Sequence, residues 1–355
     1  MPKKKRSVPT FKTPDAPTPT QNLEDLRAAK SEWFSRLLRQ RRELPPTHGL
    51  LVPLTPDPAR NIQGVGIGEK MVDGRHTGVL AVKFLVRAKY HRSQISKKHA
   101  LPKSIAGLPV DVEQVGQFRC FRGARAAADP TPDPRRKIRP AQPGCSVGFA
   151  DPNNEYVMAG TFGALVKDEN GVYYILSNNH VLAEEDLLQA PSPVFQPGLA
   201  DSGNKVTFQI GQLTRSVHLK PDVPNEVDCA IASVSRDDVS SAILQIGEPH
   251  GTKNAQMDMV VHKFGLATHF TAGRVTSVET GVVHMQYHRG TYAFDGQIAI
   301  TGLDGTRFSA DGDSGALIVE RGSNAAVGLL IGGSGDCTIA NHINDVLKSL
   351  NVSLA

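Results

Sequence analysis

From Gly144 onward the chain alternates short apolar runs with turn residues: TFGALV, VYYILS, KVTFQIGQL, DCAIASV, DMVVHKFG, GRVTSV, QIAI, GALIV and AVGLLIGG. Runs of this length, separated by Gly, Asp and Asn, predict strands rather than helices and an all-β sandwich or barrel. Only HINDVLKSL, near the end, has helical spacing. Ahead of this region the pattern differs. In residues 22–44, Leu23, Leu26, Trp33, Leu37 and Leu44 recur at spacings of three, four and seven and predict an amphipathic helix. Asn22 suits its cap, Glu24 and Asp25 its first turn, four arginines its C-terminal half, and Pro45-Pro46 its end. Such a helix packs on its own domain or, alternatively, serves self-association or a partner. Residues 61–90 read as a hairpin turning at Asp73-Gly74, and residues 101–116 as a turn and a further strand, so residues 60–118 form a small α/β unit. Gly64, Gly66 and Gly68 fall within a strand; no helix or Lys-Ser/Thr pair follows to make a phosphate loop.

Two stretches lack periodicity. Residues 1–20 are basic, then rich in Pro and Thr, and are expected to be a disordered tail. Residues 119–143 are rich in Pro, Arg and Ala and read as a linker. The expected organisation is therefore tail (1–20), helix (21–44), accessory unit (60–118), linker (119–143) and a β-rich domain (144–350).

Charge sharpens this division. Residues 1–139 hold 28 Lys/Arg and 12 Asp/Glu, a net +16; residues 140–355 hold 12 and 23, a net −11. The halves are expected to attract each other or to meet different partners. No apolar run approaches the ~18 residues of a membrane span, and the basic start has no apolar segment behind it to make an export signal. Four scattered cysteines without metal spacing (Cys120, Cys145, Cys229 and Cys337) are expected to be reduced thiols. These features predict a cytoplasmic protein. PKKKRSV resembles a monopartite nuclear import signal, though a solvated basic tail is the plainer reading. Neither zinc spacing nor an RNA-recognition signature accompanies the basic front, and the acidic back half would repel phosphate; nucleic acid is not an expected partner.

The chemistry is concentrated at three strand ends. FSADGDSGALIVE places Ser314 in a Gly-Asp-Ser-Gly turn before an apolar strand. A serine hydroxyl needs a base, and the base a carboxylate. VYYILSNNHVLA offers His180 where a strand turns; NEVDCAIASV offers Asp228 at the mouth of another. His262 and His269 are lesser alternatives for the base. An aspartate at such a place is either a turn cap or a buried charge that needs a partner.

SNNHVLA, EVDCAIA and DGDSGALIV, in that order and 48 and 86 residues apart from His to Asp to Ser, resemble the motifs of trypsin-like (chymotrypsin-fold) serine peptidases. RPAQPGCSVG, VFQPGLADSG and GLLIGG extend the similarity to an intracellular subgroup in bacteria and plants that includes the NARROW LEAF 1 protein. The resemblance spans roughly residues 60–350. It implies two antiparallel six-stranded β-barrels with a C-terminal helix, preceded by the α/β unit and the N-terminal helix. It implies a serine endopeptidase with catalytic His180, Asp228 and Ser314 and an oxyanion hole from the N–H groups of Gly312 and Ser314. It implies a protein or peptide substrate and no metal or other cofactor. Phe308 is expected at the base of the specificity pocket, favouring a small or apolar residue, and Ile331, Gly332 and Gly333 along the cleft. Two departures stand out. Ile331 lacks the hydroxyl that often supports the aspartate, and Asp313 has no freed amine to pair with. A catalytically silent scaffold acting through partners is the alternative.

Overall fold

A computed structural model describes residues 19–44, 54–72, 75–120, 132–150, 158–202 and 206–355. Residues 1–18 of the expected tail and 121–131 of the expected linker lie outside the described residues, as does the Asp73-Gly74 turn; Pro19 and Thr20 instead open the N-terminal helix.

The β-rich region forms two sheets, as the run pattern predicts. In the first, six strands lie in the spatial order Ala164–Lys167, Tyr173–Ser177, Ala230–Val234, Gln209–Ser216, Pro193–Phe195 and Ser146–Phe149. Gly160–Thr161 and Ser353–Leu354 extend its two ends. The second sheet contains a closed ring of six: Val260–Gly265, Leu317–Glu320, Ala326–Gly333, Thr338–His342, Thr291–Gly302 and His269–Gln286. The last pairs back onto the first. Closure removes free edges, and alternate residues fill the interior. The helix Ile343–Leu350 packs Val346 and Leu350 against the first sheet's core.

The front unit is joined to this ring by backbone. Its hairpin, Ile62–Val72 with Arg75–Val86, pairs through Gly64 and Val65 to Val282 and Gly281 of the long strand His269–Gln286. Leu108–Gln114 adds a parallel strand. The glycines at 64, 66 and 68 serve this close crossing. A Cβ at 64 would stand 2.5 Å from the Gly281 carbonyl oxygen, and one at 68 would stand 2.8 Å from that of Thr276.

The N-terminal helix runs over Pro19–Arg42, starting three residues before the predicted Asn22. Leu26, Ala29, Phe34 and Leu37 are its buried face. Trp33, predicted on that face, instead sits half-buried at its border, edge-on to Phe84 at 5.0 Å. Its basic residues reach toward the back half. Arg27 pairs with Glu279, Lys30 with Asp295, and Arg42 donates to the Asp222 carbonyl.

Candidate active site

His180 lies on a single helical turn, Asn179–Leu182, directly after Tyr173–Ser177. Asp228 precedes Ala230–Val234, which pairs with that strand in the register Ala230 to Ser177. The sheet thereby sets the two residues side by side although 48 positions separate them. His180 Nδ1 stands 2.5 Å from Asp228 Oδ2, and both side chains are buried. The Asp228 carboxylate is wholly enclosed, yet well supplied with donors. Oδ1 accepts from the Asn179 and His180 N–H groups at 2.7 and 3.4 Å, and Oδ2 accepts from Tyr287 Oη at 2.8 Å. Its backbone is fixed as well: Asn341 Oδ1 accepts its N–H, and Asn178 Nδ2 and Asn341 Nδ2 donate to its carbonyl. With the carboxylate as acceptor, Nδ1 is the donating nitrogen of the His180–Asp228 bond. Nε2 then carries a lone pair. Nε2 is buried and has no hydrogen-bond partner among the described residues.

Tyr287 was not foreseen. It supplies the hydroxyl that Ile331 lacks, from the residue just after His269–Gln286, and its ring meets the His180 ring edge-on at 5.4 Å. Burial pushes its own pKa well up, reinforced by the Asp228 charge, so it remains a donor. Nothing in its local sequence marks it.

Ser314 occupies the turn between the two sheets. Its carbonyl accepts from Thr161 N–H at 2.8 Å, and the Gly312 carbonyl accepts from Thr161 Oγ1 at 2.9 Å. Gly312 and Gly315 have φ of +108° and +90°, which a side chain would disfavour. At 315 space forbids one too: a Cβ would lie 2.1 Å from Ser177 Oγ. Ser314 Oγ does not bond to His180. It donates instead to the Ile331 carbonyl at 2.7 Å.

Asp313 finds its counter-charge inside the second ring. Lys263 Nζ stands 3.1 Å from Oδ2, both side chains being fully buried. The Ala267, Thr268 and Ala310 N–H groups and Thr268 Oγ1 also donate to the carboxylate. Burial alone would raise the Asp313 carboxyl, but Lys263 and these donors hold it below the usual range. Burial pulls Lys263 down, against the pull of Asp313. The signal for Lys263 was present in VVHKFG: it shares strand parity with the buried Val261, so it points inward, and an inward lysine requires a partner.

Phe308 and Ile331 divide between two apolar clusters. Phe308 is buried in the interior of the second ring among Val261, Val275, Ile300 and Leu330, and Lys263 Nζ lies 5.8 Å from its ring centroid. Ile331 belongs to a different cluster, with Cys120 and Leu219. Gly332 and Gly333 pair antiparallel with Cys120 and Arg119, the first residues of the expected linker. His262 is instead bonded to Asn324 on the ring's far wall, and the His269 ring stacks on Phe264. All four cysteines are buried and form no disulfide. One donor atom each from Cys120, His180 and Asp228 lie within 4.8 Å of one another, the one metal-like grouping among the described residues. His180 Nδ1 and Asp228 Oδ2 of this set are bonded to each other.

No family model and no curated protein sequence matches the chain. Solved structures do. A protease from Nocardiopsis (NAPase) is similar at 18% identity and a TM-score of 0.43, over 60% of this chain and 99% of that one. Thermobifida fusca protease A is similar at 18% identity and 0.42, over 60% and 97%. A glutamic acid-specific serine protease, described as using a histidine triad in substrate binding, is similar at 19% identity and 0.41, over 60% and 100%.

Proposed function

We propose that this protein is a serine endopeptidase of the intracellular trypsin-like subgroup, acting through Ser314, His180 and Asp228. One observation carries the reading: a buried imidazole whose Nδ1 is fixed on an enclosed carboxylate and whose Nε2 is held, desolvated, without a partner. Leaving a buried acceptor unsatisfied costs about 1–3 kcal/mol, and such costs persist where chemistry uses them. In the reaction, rotation about the Ser314 Cα–Cβ bond turns Oγ from the Ile331 carbonyl to His180. Oγ bonds to the scissile carbonyl carbon as its proton passes to Nε2. The C–N bond then breaks, and the amine leaves with that proton. Water repeats the sequence on the acyl-enzyme, returning Ser314 and releasing the acid. The Gly312 and Ser314 N–H groups stabilise the oxyanion, on a turn fixed by Thr161 and Asp313. No metal or organic cofactor enters these steps.

The helix ion pairs, Arg27 to Glu279 and Lys30 to Asp295, support a basic front that restrains the catalytic half. Arg27→Glu with an unchanged salt dependence of activity would remove that part of the reading. The four buried cysteines, none of them in a disulfide, fit a reducing, cytoplasmic setting.

A second reading, a silent scaffold, has one observation in its favour: the Ser314 hydroxyl is bonded away from His180. A fluorophosphonate probe separates the two. The peptidase labels, and Ser314→Ala does not. Equal labelling of both, or of neither, favours the scaffold.

A further inference from the structure

The strand Ala326–Gly333 ends beside the nucleophile. Leu317–Glu320 covers one of its sides only as far as Leu329. Beyond that point Gly332 and Gly333 keep Ile339 and Thr338 on one side. On the other side they face Cys120 and Arg119, a two-residue strand from this same chain. That short strand also pairs in parallel with Gln286, and an edge covered over only two residues is where an extended peptide can add as a strand in its place. Gly332 lets the two backbones approach closely: a Cβ there would lie 2.4 Å from the Arg119 carbonyl oxygen.

We propose that Arg119 and Cys120 are a built-in occupant of the peptide-binding edge, holding the place of two substrate residues that must displace them. Resting on the peptidase reading, this names the substrate class: an extended peptide with a small side chain at the Cys120 place and a basic residue before it. The Cys120 side chain is buried, with its Sγ within 4.8 Å of ligand-type atoms of His180 and Asp228. A bulky group would not fit there. Arg119 lies mostly in solvent and reaches Asp311 at 3.8 Å, beside Gly312. The register runs 119 to 333 and 120 to 332. A substrate peptide continuing it by one residue would bring that residue opposite Ile331, whose carbonyl holds Ser314 Oγ. Its N–H would compete for the Ile331 carbonyl and release the hydroxyl toward His180, next to the peptide's own carbonyl.

The test uses the full chain. With a fluorogenic peptide carrying Arg-Ala before the scissile residue, Arg119→Glu should loosen the occupant, repelled by Asp311, and lower KM about tenfold with kcat unchanged. That is the weight of one or two ordinary hydrogen bonds. A KM that stays level or rises overturns the proposal. The second measurement needs no turnover. In Ser314→Ala protein, iodoacetamide modification of Cys120, read by mass spectrometry, should rise when the synthetic peptide QFRAF is added, while Cys145, Cys229 and Cys337 stay protected. Cys120 equally protected with the peptide present overturns the displaced-strand idea. If wild type labels with fluorophosphonate but KM and Cys120 exposure do not move, only this proposal falls. If it does not label, the peptidase reading falls, and peptide-induced exposure of Cys120 would still support a peptide-binding edge.

Discussion

Replacing Lys263 by Met tests whether the serine turn depends on an internal cation. Lys263 and Asp313 are both fully buried, 3.1 Å apart. Breaking such a pair by deleting one partner costs about 3–5 kcal/mol, most of it the penalty of the charge left behind. Asp313 keeps four other donors, from Ala267, Thr268 (twice) and Ala310, which places the loss near the lower figure. About 3 kcal/mol should lower Tm by ~6–12 °C in a domain of this size. Activity should suffer more than stability. Asp313 lies between the two proposed oxyanion donors, and misplacing one donor costs about 10²–10³ in kcat. The pH dependence gives a sign to check. In wild type the Asp313 carboxyl is held down, so its contribution is present above the unfolded value near 3.9 and is lost as pH falls through the lower folded value. In Lys263→Met burial dominates and the carboxyl moves up. The deficit is then largest at neutral pH and shrinks on acidification. Thermal melts from pH 4 to 8 and kcat on a peptide substrate read both effects. Lys263→Met/Asp313→Asn should regain much of the stability but little kcat. A single variant that melts within about 1 °C of wild type with unchanged kcat would refute the reasoning.

Three further outcomes are expected. Tyr287→Phe removes a donor from the buried Asp228 carboxylate; a hydrogen bond to a charged group is worth about 1.5–3 kcal/mol. That is about 10–100-fold in kcat/KM if the bond holds the imidazole in place, and a Tyr287→Phe enzyme at full kcat/KM would show that it does not. Gly265→Ala would put a Cβ 2.4 Å from Asp313 Oδ1, so it should mimic Lys263→Met in kcat while leaving the cation present; unaltered kcat argues against a rigid seat for Asp313. His284 is pulled down to about 4 by burial, with Arg41 and Arg87 adding, while its Nε2 bonds to the Ala59 carbonyl. The unfolded chain takes up that proton first, so stability should fall between about pH 6.5 and 4, by at most ~3 kcal/mol. His284→Gln, which can still donate to that carbonyl, should flatten this slope in chemical-denaturation midpoints.

Where the fold follows strand parity, the sequence was readable. His180, Asp228 and Ser314 all stand at strand ends, and the pairing of Ala230 with Ser177 needs only the two apolar runs to find each other. The supports of the site are harder to see. Tyr287, just past a strand of the other sheet, and Asn341, within one, come to Asp228 from 59 and 113 residues away, and no local pattern encodes such meetings. Arg119 and Cys120 read as the start of a linker because two residues have no period; their strand exists only through its neighbours. The buried face of the helix differs from the expected one for a similar reason. Phe34, not Trp33, fills the space over Gly281, a fit that depends on a glycine almost 250 positions downstream.

The long strand His269–Gln286 takes part in two structures at once: it closes the second ring at one end and carries the front hairpin at the other. Tyr287 follows it directly. Among the described residues there is therefore no seam at which the back half could be cut free. Removing the front would unpair Gly281 and Val282 and strip Phe34 from above them, leaving an open apolar edge of the kind that recruits other strands. A minimal fragment beginning near residue 144 would expose this edge one step from the tyrosine that supports Asp228. Aggregation and loss of any activity would then arise from one cause, and the front would count as part of the same folded unit.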